Sequence, residues 1–317
     1  MKSNIFQLIT VAVILIVFGS ACGKEDLESH VTMIVKTGYA EVYKATKILL
    51  AGSGTVSIDW GDGTDSEKHM LSAYNDIDWV MSESLFLCYH EYPKASTYTI
   101  TMNGGNITHL QCWNGGMSSL DVSGMTQLKR LDCGLNPISS LDVRKNTKLE
   151  SLSCGHNWLL TNLDVSDNPE LISVICESCP ISHLDLSKST KLSFLNCRDT
   201  KLINFDISKN LNLEFLDCAD MNLTGLDVSK NTKLTTLICR SNQLTSLNVS
   251  TNTVLHSLYC GYNLFTAEKL DDLFKTLHRN AEGRRKYIEI DENPGTDDCN
   301  RSIAIEKGWH FDLYDIW

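Results

Sequence analysis

Cysteine is the residue type that this sequence places most regularly. Eight of its twelve cysteines recur at intervals of 21 residues, with a single interval of 22. They are Cys112, Cys133, Cys154, Cys176, Cys197, Cys218, Cys239 and Cys260. Thiols in an exported chain can pair as disulfides, and a C-x-x-C pair such as Cys176 and Cys179 can bind zinc or carry redox chemistry. Which chemistry applies depends on the element that carries the thiols.

That element is an internal repeat. Aligned on the cysteine, the unit reads L-x-x-L-x-C-x-x-N-x-L-x-x-L-D-V-S-x-N-x-x. It resembles the leucine-rich repeat, with cysteine at a core position where leucine is usual, and it is most similar to a subgroup of the bacterial internalins. The resemblance covers about residues 107–265 and implies a solenoid with one short parallel strand in each coil.

Side-chain alternation explains why cysteine suits such a coil. In x-L-x-C-x, Leu131 and Cys133 point inward while Arg130 and Asp132 point outward. Strands of successive coils lie parallel and about 4.8 Å apart, so neighbouring ladder cysteines have parallel Cβ vectors, which do not fit the torsion of about 90° that a disulfide prefers. A buried thiol packs as a small, polarizable apolar group. We therefore expect the ladder thiols, and Cys179 beside them, to be packing residues rather than disulfide, zinc or redox groups.

Asparagines follow several of these cysteines by three residues. Asn136, Asn157, Asn242 and Asn263 occupy this turn position. An amide side chain there can satisfy backbone groups that lack a ladder partner. Because Cys179, Thr200 and Met221 replace the asparagine in the middle of the array, we expect the amide ladder to be less regular there.

The segment 31–105 precedes the repeat and does not carry it. "GTVSIDWGDGT" (54–64) alternates and ends in a Gly-Asp-Gly turn, which predicts a hairpin, and "LFLCYHEY" and "STYTITMNG" predict two further strands. The patterns W-G-D-G-T and H-x-Y-x-x-x-S-x-Y-T-I-T resemble the PKD-type, immunoglobulin-like β-sandwich. We expect a sandwich that closes the N-terminal end of the solenoid, with the W-G-D-G loop as a turn only.

The segment 266–317 follows the repeat. "TAEKLDDLFKTLHRN" has apolar residues at helical spacing behind a Thr266 N-cap. In "KYIEIDENPG", Ile288 and Ile290 occupy the leucine and cysteine positions of the repeat. This segment is expected to form a last repeat and a cap, with a short helix and a strand that leads to Trp317. The fold class is then β-rich α+β: a leucine-rich repeat solenoid over 106–265 between an N-terminal β-sandwich and a C-terminal helix/strand cap.

The first residues predict export and lipid anchoring. Lys2 precedes an apolar stretch that is short for a membrane span, and Gly19-Ser20-Ala21 lead into Cys22. This end resembles a bacterial lipobox, although leucine is usual at the position of Gly19. The resemblance implies a lipoprotein signal peptide over 1–21, lipidation of Cys22 and an acidic linker over 22–30. The alternative is an ordinary signal peptide that is cut nearby. The acidic start of that linker is similar to signals that send lipoproteins to the cell surface, so we expect an outer-membrane lipid anchor and surface exposure.

Other candidate chemistry has a simpler explanation in each case. The column Asp121, Asp142, Asp164, Asp185, Asp206 and Asp227 could bind calcium, or each carboxylate could accept backbone hydrogen bonds in its own turn. The sequence has no glycine-rich D-x-D loop of the kind that binds calcium, which favours the turns. The net charge of −11 disfavours nucleic acid. Because the sequence has none of the usual catalytic, metal or phosphate-binding motifs, we expect neither an enzyme nor a cofactor.

The outward positions of the strands remain as the candidate site. They vary from coil to coil and include residue types that anchor protein interfaces. The predicted ligand-binding residues are Trp113, Arg130, Asp132, Phe194, Arg198, Phe215, Asp217, Arg240 and Tyr259. Phe194 and Phe215 fall in one column in successive coils and should touch, which favours a docking patch over scattered apolar residues.

The function predicted from these residues is non-enzymatic recognition. The internalin resemblance implies adhesion through the strand face, with a protein of a host or a neighbouring cell as ligand. The alternative is an accessory glycan-binding lipoprotein of a nutrient-uptake system, since a PKD-like module and stacked aromatic rings also suit sugars.

Overall fold

The computed structural model describes residues 29–37, 45–73, 85–279 and 285–311. The predicted signal peptide, Cys22 and nearly all of the acidic linker lie outside the described residues, as does the predicted end of the last strand at Trp317. Among the described residues, no helix has both the length and the apolar character needed to cross a membrane.

Short strands dominate the described chain. In order they are β1 (His30–Lys36), β2 (Ala45–Asp59), β3 (Glu67–Met70), β4 (Phe86–Glu91), β5 (Thr97–Gln111), β6 (Met117–Asp121), β7 (Arg130–Asp132), β8 (Ser151–Ser153), β9 (Ser173–Ile175), β10 (Phe194–Asn196), β11 (Phe215–Asp217), β12 (Thr236–Ile238), β13 (Ser257–Tyr259), β14 (Lys286–Glu289) and β15 (Trp309–His310). Two helices, α1 (Ala267–Thr276) and α2 (Ser302–Ile305), lie near the C-terminal end.

The repeat forms a β-solenoid of about 9 turns with a period of about 21 residues. Strands β7 to β13 pair in parallel with their neighbours, and the central residue of each strand pairs with the central residue of the next, as Leu195 does with Leu216. These central side chains are fully buried, because the strand alternates between the core and the outer face. The predicted burial of the central position is confirmed in each of these strands, whereas Ser173 and Asp217, which were expected to point outward, are also buried.

The cysteine ladder lies inside this stack. Each of the eight ladder cysteines directly follows a strand and is 1 % exposed or less. The cysteines among the described residues are all free thiols. Burial raises the pKa of the Cys133 and Cys176 thiols, so the thiolate needed for metal binding or redox attack is disfavoured. The ladder cysteines therefore lie in the core, as the sequence predicts.

The asparagine turn links each coil to the one before it. Asn136 Nδ2 donates to the carbonyl oxygens of Cys112 and Cys133, both at 3.0 Å. Its Oδ1 accepts from the backbone N–H of Gly115 at 3.1 Å and of Met117 at 3.0 Å. Equivalent Nδ2 bonds are made by Asn157, Asn242 and Asn263.

This amide ladder is interrupted in the middle of the array, as predicted. Cys179 Sγ donates to the Cys154 carbonyl at 3.1 Å, and Thr200 Oγ1 donates to the Cys197 carbonyl at 2.7 Å. The Met221 sulfur accepts from the Cys197 thiol at 3.6 Å. These side chains cannot reproduce the two-sided bonding of an asparagine, so the turn is held by fewer bonds here.

A second regular feature of the turn is left-handed backbone at the second residue after each cysteine. Residues in this conformation have φ between 53° and 57° and are Asn114, Leu135, His156, Ser178, Asp199, Asp220, Ser241, Tyr262 and, in the last turn, Glu292. The N–H groups of the first eight donate to a carbonyl of the next coil, for example Leu135 to Gly155 at 2.9 Å. The inter-coil bonds thus offset a conformation that costs residues other than glycine about 1–2 kcal/mol.

The aspartate column lies at the opposite turn of the coil. Asp142 Oδ1 accepts the backbone N–H of Arg144 at 3.0 Å. Hydrogen bonds and charge from Arg144 hold the pKa of Asp142 down at about 2. The other members of the column accept from the residue two positions ahead in the same way: Asp121, Asp164, Asp185, Asp206 and Asp227, with Asn248 as the last. This is the local turn bonding that the sequence favoured.

The N-terminal strands join the same sheet as the coils. Strand β5 pairs antiparallel with β1 and β2, and its last three residues, from His109 to Gln111, pair in parallel with β7. The predicted hairpin forms between β2 and β3, and β2 also pairs with β4. Strand β5 therefore belongs both to the N-terminal segment and to the first coil. The pairing does not establish the two stacked layers of a sandwich, which stay a prediction.

The C-terminal segment continues the sheet with β14 and β15. Ile288 and Ile290 are buried at the leucine and cysteine positions, as expected. The Thr266 side chain accepts from Lys269 N at the start of α1. The helix ends at Thr276, before the predicted end of its pattern, and the Lys307 ammonium donates to three carbonyls at that end. Its role as a cap stays a prediction.

Candidate ligand-binding face

The outer face of the parallel strands presents side chains in columns. Residues before and after the central leucine point away from the core, and equivalent residues of successive coils lie about 4.8 Å apart. Because the strands are in register, a residue type that recurs in one column produces contacts along the solenoid axis. The fold thus fixes the positions of the side chains on this face, and the sequence of each coil decides which residue type stands at each position.

Phe194 and Phe215 form the most distinct feature of this face. They pair in register on β10 and β11, and their rings stack with centroids 4.3 Å apart and planes 3° from parallel. Both side chains are half-buried. The neighbours in the same column are Ser173 and Thr236, which are small. The two rings therefore form an apolar ridge that projects beyond the smaller side chains on either side of it. The predicted contact between the rings is confirmed.

Charged groups lie on the same two coils as the ridge. Asp217 is 8 % exposed and accepts the backbone N–H of Ala219 at 3.0 Å. Burial raises the pKa of Asp217 above its ordinary value. Arg198 Nη2 lies 2.9 Å from Asp220 Oδ2 and is held in place by that ion pair. The centre of the face thus combines stacked rings, a buried carboxylate and an oriented guanidinium.

A second group lies toward the C-terminal end of the face. Arg240 Nη2 lies 3.4 Å from Glu289 Oε1, and its guanidinium carbon lies 5.8 Å from the centre of the Tyr262 ring. Tyr259 and Tyr287 contact each other with ring centroids 5.4 Å apart. This end of the face thus carries an arginine against one tyrosine and a separate pair of tyrosines, residue types that are common in protein interfaces.

The remaining predicted residues lie near the N-terminal end of the face. Trp113 is 47 % exposed in the first coil. Asp132 Oδ2 accepts from Gln111 Nε2 at 3.1 Å, and Arg130 is half-buried beside them on β7. The seven coil steps between Trp113 and Tyr259 correspond to about 34 Å at the strand spacing of a sheet. The nine predicted residues are therefore spread over three groups and do not form a single pocket.

Some residues of the face were not among the predicted site residues. Tyr287 and Glu289 could have been found, because they alternate with Ile288 and Ile290 in the last repeat. Tyr262 and Asp220 occupy the left-handed turn position, which simple alternation along a strand does not predict. The register of the last repeat could therefore have identified Tyr287 and Glu289 as residues of the face. No comparable signal was available for Tyr262 and Asp220.

The two cysteines of the C-x-x-C pair are part of the packing and the turn bonding of their coil. Cys176 is a buried ladder residue, and the Cys179 thiol is used as a turn donor to the Cys154 carbonyl. Among the described residues, no group of three or more His, Cys, Asp or Glu side chains is placed to hold a metal ion.

No protein-family model matches the chain, and no curated protein matches it. Among solved structures, the functional domain of InlJ from Listeria monocytogenes, described as including a cysteine ladder, aligns with 28 % identity and a TM-score of 0.51. The alignment covers 64 % of this chain and 49 % of that chain, so this chain spans about half the length of the InlJ structure.

Two further structures are less similar. Internalin C2 from Listeria monocytogenes aligns with 20 % identity and a TM-score of 0.49, over 53 % of this chain and 77 % of that chain. A leucine-rich repeat protein of Leptospira interrogans aligns with 17 % identity and a TM-score of 0.42, over 60 % of this chain and 62 % of that one. The InlJ alignment supports an internalin-type leucine-rich repeat fold for the repeats, whose period in this chain is about 21 residues.

Proposed function

We propose that this chain is a non-enzymatic recognition protein that binds a protein ligand through the strand face of its repeats. The stacked pair Phe194 and Phe215, half-exposed at the centre of that face, is the observation that carries the proposal. Exposed aromatic rings on a rigid sheet lose little conformational entropy on binding, because the fold already fixes them. The ligand is a protein of a host or a neighbouring cell, in keeping with an adhesion role for internalin-type repeats.

The proposal includes the position of the protein in the cell. Cys22 carries a lipid that anchors the chain in the outer membrane, and the acidic linker places it on the outer surface. The sequence of residues 1–26 supports this part. Anchoring by a linker would leave the strand face free to meet a partner on another surface.

The experiment compares three forms of the full chain on protein and glycan arrays. One is the wild type, one is Phe194→Ala/Phe215→Ala, and one is Ile203→Ala/Leu211→Ala. Ile203 and Leu211 are 56 % and 53 % exposed and lie off the strand face, so the control removes a similar apolar area elsewhere. We expect the wild type to bind a protein ligand, the ridge variant to bind at least tenfold more weakly and the control to match the wild type within twofold.

The same arrays test the alternative of glycan recognition. Stacked, half-exposed rings also suit a sugar face, so this alternative predicts binding to polysaccharides and a polysaccharide-induced rise in melting temperature that Phe215→Ala removes. Such a result, without protein binding, would replace adhesion by glycan capture. If the ridge variant binds every ligand as the wild type does, the strand face is not the binding site.

A further inference from the structure

A second column of buried polar residues runs through the solenoid, separate from the turn asparagines described above. It lies in the D-V-S-x-N part of the repeat, in six successive coils. Its members are Asn146, Asn168, Ser189, Asn210, Asn231 and Asn252, each 1 % exposed or less. Polar groups buried this deeply are almost always hydrogen-bonded.

The amide nitrogens of this column are fully engaged. Asn231 Nδ2 donates to the carbonyl oxygens of Ile207 and Asn210, both at 3.0 Å. Asn146, Asn168, Asn210 and Asn252 make the same pair of bonds to the preceding coil. Rotating an amide by half a turn would bring its oxygen against two carbonyl oxygens, so the bonding fixes the orientation of every side chain.

The amide oxygens of the same residues have no donor within the described part of the chain. This holds for Oδ1 of all five asparagines and for Oγ of Ser189. The turn asparagines behave differently: Asn242 Oδ1 accepts from Met221 N at 3.1 Å and from Leu223 N at 2.9 Å. The two columns contain the same residue type at similar burial, and they differ in whether the oxygen has a protein partner.

Six buried acceptors without partners would together rival the whole free energy of folding of an ordinary domain. A regular repeat does not sustain such a cost at the same position in every coil. A cation in this interior would need a counter-charge, whereas the groups of the column are neutral. Water supplies a neutral donor of the right size, and buried waters typically satisfy such groups.

The column is bounded at both ends. In the first coil the equivalent position is Met125, which is fully buried and apolar. At the other end, the hydroxyl of Thr276 on α1 accepts from Val249 N at 3.3 Å, in the same coil as Asn252. The six unpartnered oxygens therefore lie in one uninterrupted run of coils, and all six residues are buried.

We propose that this column is a binding site for a file of internal water molecules, one for each of the six coils, each hydrogen-bonded to an asparagine Oδ1 or to the Ser189 hydroxyl. The file runs parallel to the cysteine ladder. In each of these coils, the turn that follows the cysteine has no internal water, and the turn in the D-V-S-x-N part binds one. This inference does not depend on what the strand face binds.

Nuclear magnetic resonance of the full chain tests it without any substitution. Water-to-protein cross-relaxation is measured at the side-chain NH₂ groups of both asparagine columns. We expect cross-peaks from long-lived water at Asn146, Asn168, Asn210, Asn231 and Asn252, and none at the turn asparagines Asn136, Asn157, Asn242 and Asn263. Absence of cross-peaks in the second column, or equal cross-peaks in both columns, would overturn the proposal.

A crystal structure of the same chain gives an independent measurement. Each unpartnered oxygen should have a water within about 3.2 Å. The variant Asn231→Met, which copies Met125 of the first coil, should lose the water at its own coil and keep those beside Asn210 and Asn252. Backbone N–H groups in direct contact with the oxygens, with no water between them, would show that the inference is wrong even if the variant fails to fold.

Discussion

Asp62 lies in the turn between β2 and β3, where its carboxylate side chain is 2 % exposed. Thr64 Oγ1 donates to its Oδ1 at 2.6 Å, and its Oδ2 lies 2.8 Å from His90 Nε2. The His90 ring stacks on Trp60 with centroids 4.8 Å apart. The W-G-D-G loop, which the sequence predicts to be a turn only, thus also holds a charged group that ties two strands together.

The pKa of Asp62 is lowered to about 2, chiefly by the hydrogen bond from Thr64 and with a contribution from His90. Because the carboxylate ionises more readily in the folded chain, it stabilises the fold at every pH above about 4. That contribution is lost as pH falls from about 4 through about 2. Melting temperature measured across this range should fall more steeply for the wild type than for Asp62→Asn.

Asp65→Asn is the matched control, because Asp65 is an exposed carboxylate in the same loop. It should keep the steep acid dependence of the wild type. Equal curves for the wild type and Asp62→Asn would show that this carboxylate does not stabilise the folded chain.

Single positions were predictable wherever they belong to a repeated column. The burial of Leu131 and Cys133 follows from alternation, which eight copies of the unit reveal. The partner of Asp62 was not predictable, since His90 is 28 residues away along the chain. The left-handed residues were missed because glycine is the usual signal of that conformation, and Leu135 and Tyr262 give no such signal.

At the scale of the coil, the weakest element is the set of turns where asparagine is replaced. Met221 stands where Asn136 and Asn242 make bonds on both sides, and it offers only its sulfur to the Cys197 thiol. By analogy with Asn136, an asparagine there would donate to the carbonyls of Cys197 and Cys218 and accept from the coil before it.

Met221→Asn should therefore stabilise the solenoid. Four added hydrogen bonds of about 0.5–1.5 kcal/mol each contribute about 4 kcal/mol at the middle of that range. The lost burial of methionine costs about 1.5–3 kcal/mol, so we expect a net gain of about 1 kcal/mol. Urea unfolding followed by circular dichroism measures the change. Met221→Ala, which only leaves a cavity, should lose about 2–5 kcal/mol, and an asparagine variant as unstable as this control would contradict the account of the ladder.

The coil strands and their register could be predicted from the sequence, but the connection between β5 and the first coil could not be predicted in full. The continuation of the last N-terminal strand toward Ile107 was expected. Its simultaneous pairing with β1, β2 and β7 depends on where β5 bends, which no local pattern encodes. Pairing between distant segments is decided by tertiary packing, and propensity gives little information about it.

The whole molecule behaves as a stack in which each coil contacts its neighbours. Stability in such arrays is roughly a sum of coil and interface contributions, so the buried columns must match from coil to coil while the outer columns are free to vary. This division explains why the core positions repeat and the strand face does not. The ridge of Phe194 and Phe215 is a feature of two coils, and the other coils extend the same sheet on both sides of it.

The central claim is that the ladder thiols pack as apolar residues of the core and leave the strand face to bind. Mass spectrometry of the folded, unreduced full chain tests it directly, with thiol alkylation after denaturation in the absence of reductant. We predict that each of the eight ladder cysteines is recovered alkylated and that the native mass carries no zinc. A peptide in which two ladder cysteines are joined by a disulfide, or a native mass with bound zinc, would contradict the account.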